Sequence, residues 1–96
     1  MADIKPSDIV QSLAGHDADS IFYVLRTEDG YASIADGKNR KCSKPKRKKL
    51  RHLALEAEST SPVAERIARG ESVTDSEVRK ALALYRAASR KAKGGN

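Results

Sequence analysis

The fold is decided by the stretch IFYVLRTEDGYASIA, residues 21–35. It opens with Ile21–Leu25, an apolar run rich in β-branched and aromatic residues that favours a buried strand over an isolated helix. Thr27–Gly30 predicts a tight turn, since glycine tolerates the positive φ that short hairpin turns require. Tyr31–Ala35 supplies the returning strand. We therefore expect a β-hairpin at the centre of the fold.

The flanking segments predict three more strands. Upstream, apolar residues broken by polar ones indicate a strand at Asp8–Leu13, which a loop at Ala14–Ser20 connects to the hairpin. Downstream, Asn39–Ser43 is expected to form a fourth short strand that Pro45 interrupts, because proline removes a ladder donor. His52–Glu56 alternates briefly and predicts a fifth strand. Five short strands with glycine and aspartate turns are typical of a small antiparallel barrel, a mainly β fold with a helical C-terminal extension.

The pattern becomes helical after these strands. Ser61 and Pro62 predict the start of a short helix that ends at Gly70. The segment Thr74–Glu77 is a capping box, in which the threonine hydroxyl and the glutamate carboxylate each accept from the other residue's backbone. It predicts a second, longer helix that frays from Arg90 onward into a disordered tail. One face of this helix carries Val78, Ala81, Leu82, Tyr85 and Ala88.

The charge is concentrated in one segment. Residues 1–37 have a net charge of −5, residues 38–55 of +9 and residues 56–96 of +2. The nine basic residues of the central run are Lys38, Arg40, Lys41, Lys44, Lys46, Arg47, Lys48, Lys49 and Arg51. Such a run repels itself and favours a polyanionic partner, most often a nucleic-acid backbone, although a solvated flexible tail is the alternative. We expect residues 44–50 to be disordered when no RNA is bound.

Other compositional features exclude several classes of function. No stretch is apolar and long enough to span a bilayer, and the acidic N-terminus lacks the charged and apolar regions of a signal peptide. These features predict a cytoplasmic protein without a membrane partner. The single cysteine and two histidines form no metal-binding spacing. We expect no enzyme activity, no cofactor and no small-molecule substrate. The cations near Cys42 are expected to lower its pKa.

Several segments resemble the KOW motif of RNA-binding proteins related to archaeal and eukaryotic large-subunit ribosomal proteins. Asp8–Asp17 followed by Ile21–Val24 looks like the strand, glycine-containing loop and second strand of that motif. Asp29–Tyr31, Ala35–Lys38 and the basic block Lys44–Leu53 look like the rest of the family pattern.

The helical extension at 58–96 lies outside this resemblance. For the rest of the chain, the resemblance implies an SH3-like barrel over residues 4–57, with a basic arm at 38–52. It also implies that the partner is RNA, usually ribosomal, which would be held by the nine basic residues of the arm. The motif glycines would be Gly15, Gly30 and Gly37, which are also explained as turn residues. Of the aromatic residues that can stack on bases, we expect most to be buried, with Tyr23 the exception.

The loop at His16–Ser20 departs from the family, in which this loop usually carries basic residues and a second glycine. Its two aspartates would repel phosphate. Either the basic arm alone holds RNA, or this protein has acquired a protein partner or a non-ribosomal role. The alternatives from the residues themselves are a nuclear-import signal, a DNA-binding module, and a protein-interaction module in which the helix face of Val78, Leu82 and Tyr85 docks a partner. That face would otherwise pack on the barrel or on residues 62–69.

Overall fold

A computed structural model describes residues 3–13 and 20–94 of the chain. The predicted loop at residues 14–19, with Gly15, and the end of the predicted tail at residues 95–96 lie outside the described residues. The strands are β1 (Asp8–Ser12), β2 (Ile21–Glu28), β3 (Tyr31–Ala35), β4 (Lys46–Lys49) and β5 (Leu53–Glu58). The helices are α1 (Pro62–Ala68) and α2 (Asp75–Gly94), and a 3-10 turn at Leu50–His52 joins β4 to β5.

The central hairpin is confirmed. β2 and β3 are antiparallel, and Glu28 lies opposite Tyr31. The two residues between them, Asp29 and Gly30, both have positive φ, 51° and 81°. This is the combination that the twist of a two-residue hairpin requires, and glycine adopts it without steric cost. The turn is therefore shorter than predicted, because β2 continues through Thr27 and Glu28.

The five strands form one antiparallel sheet in the order β4-β3-β2-β1-β5. A sheet of five short antiparallel strands with two helices was predicted, and this much of the fold is confirmed. β4 and β5 lie at the two ends of this order and are the edges of the sheet.

The fourth strand was predicted at the wrong place. Residues 39–43 form bends and turns, and β4 begins after Pro45, not before it. The reason is local, since Asp36 Oδ1 accepts hydrogen bonds of 2.9 Å from the backbone N–H groups of Lys38 and Arg40. These bonds hold the chain in a turn where a strand would need the same groups for its ladder. The proline then immediately precedes the strand, a position that costs no ladder bond.

The sheet buries apolar side chains on both faces, since neighbours along a strand point to opposite sides. One face holds a cluster of Val10, Phe22, Val24, Ala32, Ile34 and Leu53. The other face holds a cluster in which Ile9, Ile21 and Tyr23 pack against Ala64 and Ile67 of α1 and Val78 and Leu82 of α2. The predicted pairing of the second helix with residues 62–69 is confirmed, and both helices share a core with the strands. The expected exposure of Tyr23 is wrong, because its side chain is buried under the helices and its hydroxyl lies 2.9 Å from Ser59 Oγ.

Both predicted helix starts are confirmed. Ser61 Oγ accepts from Ala64 N at 3.1 Å at the start of α1. At the start of α2, Glu77 N donates to Thr74 Oγ1 at 3.1 Å and Thr74 N donates to Glu77 Oε1 at 2.9 Å, which is the reciprocal capping box. α2 does not fray at Arg90 as expected but extends through Gly94, since alanine, lysine and arginine are strong helix formers. Neither helix is long and apolar enough to cross a membrane.

Candidate nucleic-acid interface

The structure divides the predicted basic arm between a loop and an edge strand. Lys38, Arg40, Lys41 and Lys44 lie in the loop between β3 and β4, which we call the basic loop (residues 36–45). Lys46, Arg47, Lys48 and Lys49 form the whole of β4, and Arg51 is exposed in the 3-10 turn that follows.

The expectation that residues 44–50 are disordered without RNA is wrong for the strand. β4 pairs with β3 from Lys46 opposite Ile34 to Lys49 opposite Tyr31. Directly after the strand, Leu50 N donates to the carbonyl oxygen of Gly30 at 2.9 Å. Backbone pairing therefore orders this segment despite the repulsion among its four cations.

The basic loop is fixed to the start of α2 by polar contacts. Cys42 N donates to Asp75 Oδ1 at 2.7 Å, and Arg79 Nη1 donates to the carbonyl oxygen of Gly37 at 3.0 Å. Gly37 has a φ of 78°, and a Cβ atom on it would lie only 2.3 Å from the backbone oxygen of Asp75. Only glycine fits a position with both constraints. The predicted motif residue Gly37 therefore has a structural role in joining the loop to the helix, whereas a Cβ on Gly30 would meet open space.

The side chains of β4 alternate between two environments. Lys46 and Lys48 lie opposite Ile34 and Ala32, so they share the face of the buried Phe22 cluster and are half-buried. The Lys48 ammonium group donates to Ser12 Oγ at 2.7 Å. These two lysines extend their aliphatic parts over the core and are not directed outward with the others.

Arg47 and Lys49 point to the opposite face and are exposed. They lie opposite Ser33 and Tyr31 on β3, and the Arg47 guanidinium carbon sits 3.9 Å from the centroid of the Tyr31 ring. At this distance the ring and the cation attract each other, which holds the arginine against the sheet surface.

Sequence analysis missed one cation of this face, Arg26. It lies on β2 opposite Ser33, which in turn lies opposite Arg47, so the two arginines belong to one row across three strands. Arg26 also lines a cleft of about 460 Å³ together with Cys42 and Ser43 of the basic loop. We call Arg26, Arg47 and Lys49 the outer basic face. Arg26 lies outside the basic run, so charge density does not indicate it. The register of the β2–β3 hairpin, which places Arg26 opposite Ser33, is the signal that could have identified it.

Acidic groups also lie near the outer basic face. Glu28 lies opposite Tyr31 on the same face of the sheet. Glu71, which pairs with Arg66 and Arg69, lines the same cleft as Arg26. Among the described side chains, no ion pair joins Arg47, Lys49 or Arg51 to a carboxylate. The exposed cations of this surface are therefore available to an anionic partner.

The expected lowering of the Cys42 pKa is wrong. Burial raises the pKa of the thiol to about 11, and the Asp75 carboxylate, which interacts directly with the thiol, adds to the effect. The charges of Asp36 and Glu77 act in the same direction. The neighbouring Lys41 and Lys44 are exposed and do not compensate. In turn, the N–H of Cys42 lowers the pKa of Asp75 by donating to its carboxylate.

The helix face that was considered as an alternative docking site for a protein partner is largely filled from within the chain. Val78 and Leu82 are buried against the sheet, and the half-buried Tyr85 donates a hydrogen bond of 2.8 Å to Glu56 Oε2. Beside this face, between α2 and the segment that links β5 to α1, lies an apolar groove of about 540 Å³. Leu84, which is 72% exposed, lies at this groove.

Comparisons with known proteins add no identification. No protein-family model matches this chain, and a search of curated proteins also found no match. In the described part of the chain, residues 3–13 and 20–94, no three His, Cys, Asp or Glu side chains come together as a metal-binding group. The functional argument therefore depends on the geometry of the outer basic face and the basic loop.

Proposed function

We propose that this chain is an RNA-binding protein of the KOW type, associated with ribosomal RNA in the cytoplasm, and that its activity is binding without catalysis. The observation that carries the proposal is the row of Arg26 and Arg47 across the sheet, next to Lys49 and beside an anchored loop of four further cations. Backbone pairing and the contacts of the loop to α2 hold these charges in place before a partner arrives. Preorganised cations lose less conformational entropy when they bind phosphates.

The spacing of the outer basic face suits a phosphate backbone. Adjacent strands are about 4.8 Å apart, so the row from Arg26 to Arg47 covers about 10 Å of surface. The exposed cations are Arg26, Lys38, Lys41, Lys44, Arg47, Lys49 and Arg51. If each neutralises one phosphate of a single strand, the logarithm of the binding constant should fall with the logarithm of salt concentration with a slope of about −5.

An SH3-like barrel is the finer description of the fold that we propose. Three features support it: the strand order β4-β3-β2-β1-β5, the 3-10 turn between β4 and β5, and the contact of Lys48 with Ser12. That contact spans two strands that the sheet order separates by two others, as expected when a sheet curls toward closure.

A purely protective role is the main rival reading of β4. Native sheets often carry lysines on their edge strands, because the charges prevent pairing with another chain. A DNA partner is the second rival, since phosphate contacts alone do not distinguish the two nucleic acids. A single binding experiment distinguishes both alternatives from RNA binding.

The experiment measures binding to a structured RNA and to a duplex DNA of matched charge across a salt series. The test variant carries Arg47→Gln and Lys49→Gln, and the control variant carries Lys80→Gln and Arg86→Gln on α2, so that both lose two exposed charges. We expect the test variant to lose about tenfold or more in RNA affinity. The magnitude of its salt slope should also fall by about 1.4, which corresponds to two fewer phosphate contacts. The control should change by less than about threefold, because these residues lie outside the proposed surface.

Three results would contradict the proposal. Equal losses in the two variants would indicate only a general effect of net charge. Unchanged RNA binding together with self-association of the test variant would favour the protective role of the edge strand. Equal or tighter binding to the duplex DNA would favour the DNA reading.

A further inference from the structure

We infer that Arg47 and Tyr31 form a stacking site for an unpaired RNA base, so that the ligand of the outer basic face is single-stranded RNA. This inference rests on the proposed RNA-binding function and makes the ligand of the same surface more specific. It assigns to Tyr31 the stacking role that the sequence suggested for Tyr23, which is buried.

The geometry of the pair is the first argument. The guanidinium carbon of Arg47 lies over the Tyr31 ring, 3.9 Å from its centroid, and the arginine side chain is exposed. One side of the guanidinium group therefore contacts the ring while the rest of the side chain meets solvent. Single-stranded bases stack on aromatic rings and on arginine guanidinium planes, which offer a flat, weakly hydrated surface.

The pair is held rigidly by its place in the sheet. Tyr31 is the first residue of β3, directly after the two-residue turn, and lies opposite Glu28 on one side and Lys49 on the other. Arg47 is its diagonal neighbour on β4, a spacing at which long and aromatic side chains reach each other across a sheet. The stacking surface therefore exists before the base arrives.

The charges around the pair direct the backbone of the bound strand. Lys49 lies beside Tyr31, and Arg26 lies in the row of Arg47, so cations flank the stacking surface on two sides. Glu28 repels phosphate from the third side, where it lies opposite the ring. A strand that placed a base on Arg47 would therefore find its adjacent phosphates at Lys49 and Arg26.

Duplex RNA does not suit this surface. Its bases are stacked within the helix, and its major groove is too deep and narrow for side chains to read. A ring and a guanidinium group on an open sheet face can contact only a base that is already unstacked. Stacking is also tolerant of sequence, because every base offers a π-face.

The test replaces Arg47 by lysine, which keeps the positive charge and removes the planar group. Arg86→Lys is the matched control, because Arg86 is an exposed arginine on α2, outside the proposed RNA-binding surface. The probes are a single-stranded RNA of about ten nucleotides, which spans one site of this kind, and a fully paired RNA duplex of the same sequence, each titrated across a salt series. A third variant, Tyr31→Leu, removes the ring but keeps an apolar strand residue, and its fold is checked by urea unfolding.

We expect Arg47→Lys and Tyr31→Leu to weaken single-strand binding by about fivefold or more, with an unchanged salt slope for the lysine variant. Duplex binding should be the same as for the unaltered protein, and Arg86→Lys should alter neither probe by more than about twofold. Equal effects of the two lysine variants, or an equal loss on the duplex, would overturn the stacking site while RNA binding itself stands. If the unaltered protein binds neither probe, both the stacking site and the proposed function are wrong.

Discussion

The ammonium group of Lys48 on β4 donates a hydrogen bond of 2.7 Å to the hydroxyl oxygen of Ser12 on β1. Two strands, β3 and β2, lie between these residues in the sheet order, so the contact joins strands that are not neighbours. Ser12 has no exposed surface, and Lys48 is half-buried over the cluster that includes Phe22. Lys48, although it belongs to a run of basic residues, therefore contributes to the stability of the fold.

Replacing Ser12 by alanine should lower the free energy of unfolding by about 1–3 kcal/mol, since a partly buried ammonium group loses an acceptor. The same substitution made together with Lys48→Met should cost clearly less, because the charge that needs the acceptor is gone. Urea unfolding of the four proteins of this double-mutant cycle measures the coupling. Lys49→Met, on the exposed side of the same strand, is the control and should change stability by less than about 0.5 kcal/mol. A Ser12→Ala cost that is the same in both backgrounds would show that the hydrogen bond contributes nothing.

The close approach of Gly37 to Asp75 gives a second prediction. Gly37→Ala should destabilise the protein by about 3 kcal/mol or more, because it adds a steric clash with a backbone oxygen to the strain of a positive φ. Gly30→Ala is the matched control, since its φ of 81° is similar but a Cβ atom there meets nothing within 4 Å. It should cost only the conformational strain, about 1–2 kcal/mol. Thermal or urea unfolding distinguishes them, and equal costs would mean that loop and helix are not in tight contact.

Two leucines of α2 test whether the helix and the sheet share one core. Leu82→Ala should cost about 2–5 kcal/mol, since Leu82 is 1% exposed and packs in the cluster with Ile9 and Tyr23. Leu84→Ala should cost less than about 0.5 kcal/mol, because Leu84 is 72% exposed. Unfolding should remain a single transition in both variants. A separate early transition for the helix in the Leu82 variant would instead support independent units at residues 4–57 and 58–96.

Cys42 should become reactive at a higher pH than its basic neighbours suggest. Its pKa is raised from 9.0 to about 11, so alkylation by iodoacetamide should remain slow at pH 8 and approach half its maximal rate only near pH 11. Asp75→Asn removes a negative charge beside the thiol and should move this midpoint to lower pH. A midpoint below 9.0 in the unaltered protein would contradict the environment described for Cys42.

The raised pKa of Cys42 also makes the free energy of unfolding depend on pH. Between about pH 9 and pH 11 the unfolded chain releases the thiol proton while the folded protein retains it. The folded state then binds more protons, so the contribution of this group to stability is complete below pH 9 and is lost as the pH rises through 11. The difference in unfolding free energy between the unaltered protein and Cys42→Ala should therefore decrease over this range.

The elements that the sequence predicted correctly are those determined by neighbouring residues. Asp29 and Gly30 require a two-residue turn whatever surrounds them, and Thr74 and Glu77 cap a helix through bonds three residues apart. β4 could not be predicted in this way, because four consecutive cations have no apolar period. Its place is determined by Ala32 and Ile34 on the partner strand, whose face accepts every second lysine stem.

The candidate site was predictable in composition but not in arrangement. The run from Lys38 to Arg51 indicated which residues carry charge, but not that Lys46 and Lys48 turn inward. Arg26 joins the site through strand register, and the pKa of Cys42 is determined mainly by burial and by a carboxylate 33 positions later in the chain. These relationships depend on tertiary contacts, which no local pattern encodes.

The burial of Ile9 and Tyr23 under α2 also determines when the core can be completed during synthesis. Leu82 follows Tyr23 by 59 positions, which is roughly 3–12 seconds of elongation at typical rates. Throughout that interval one apolar face of the strands lacks the cover of α2, although the hairpin can already pair. Folding of the nascent chain should therefore depend on late, distant contacts, and this interval is the period in which the strands are most exposed to aggregation.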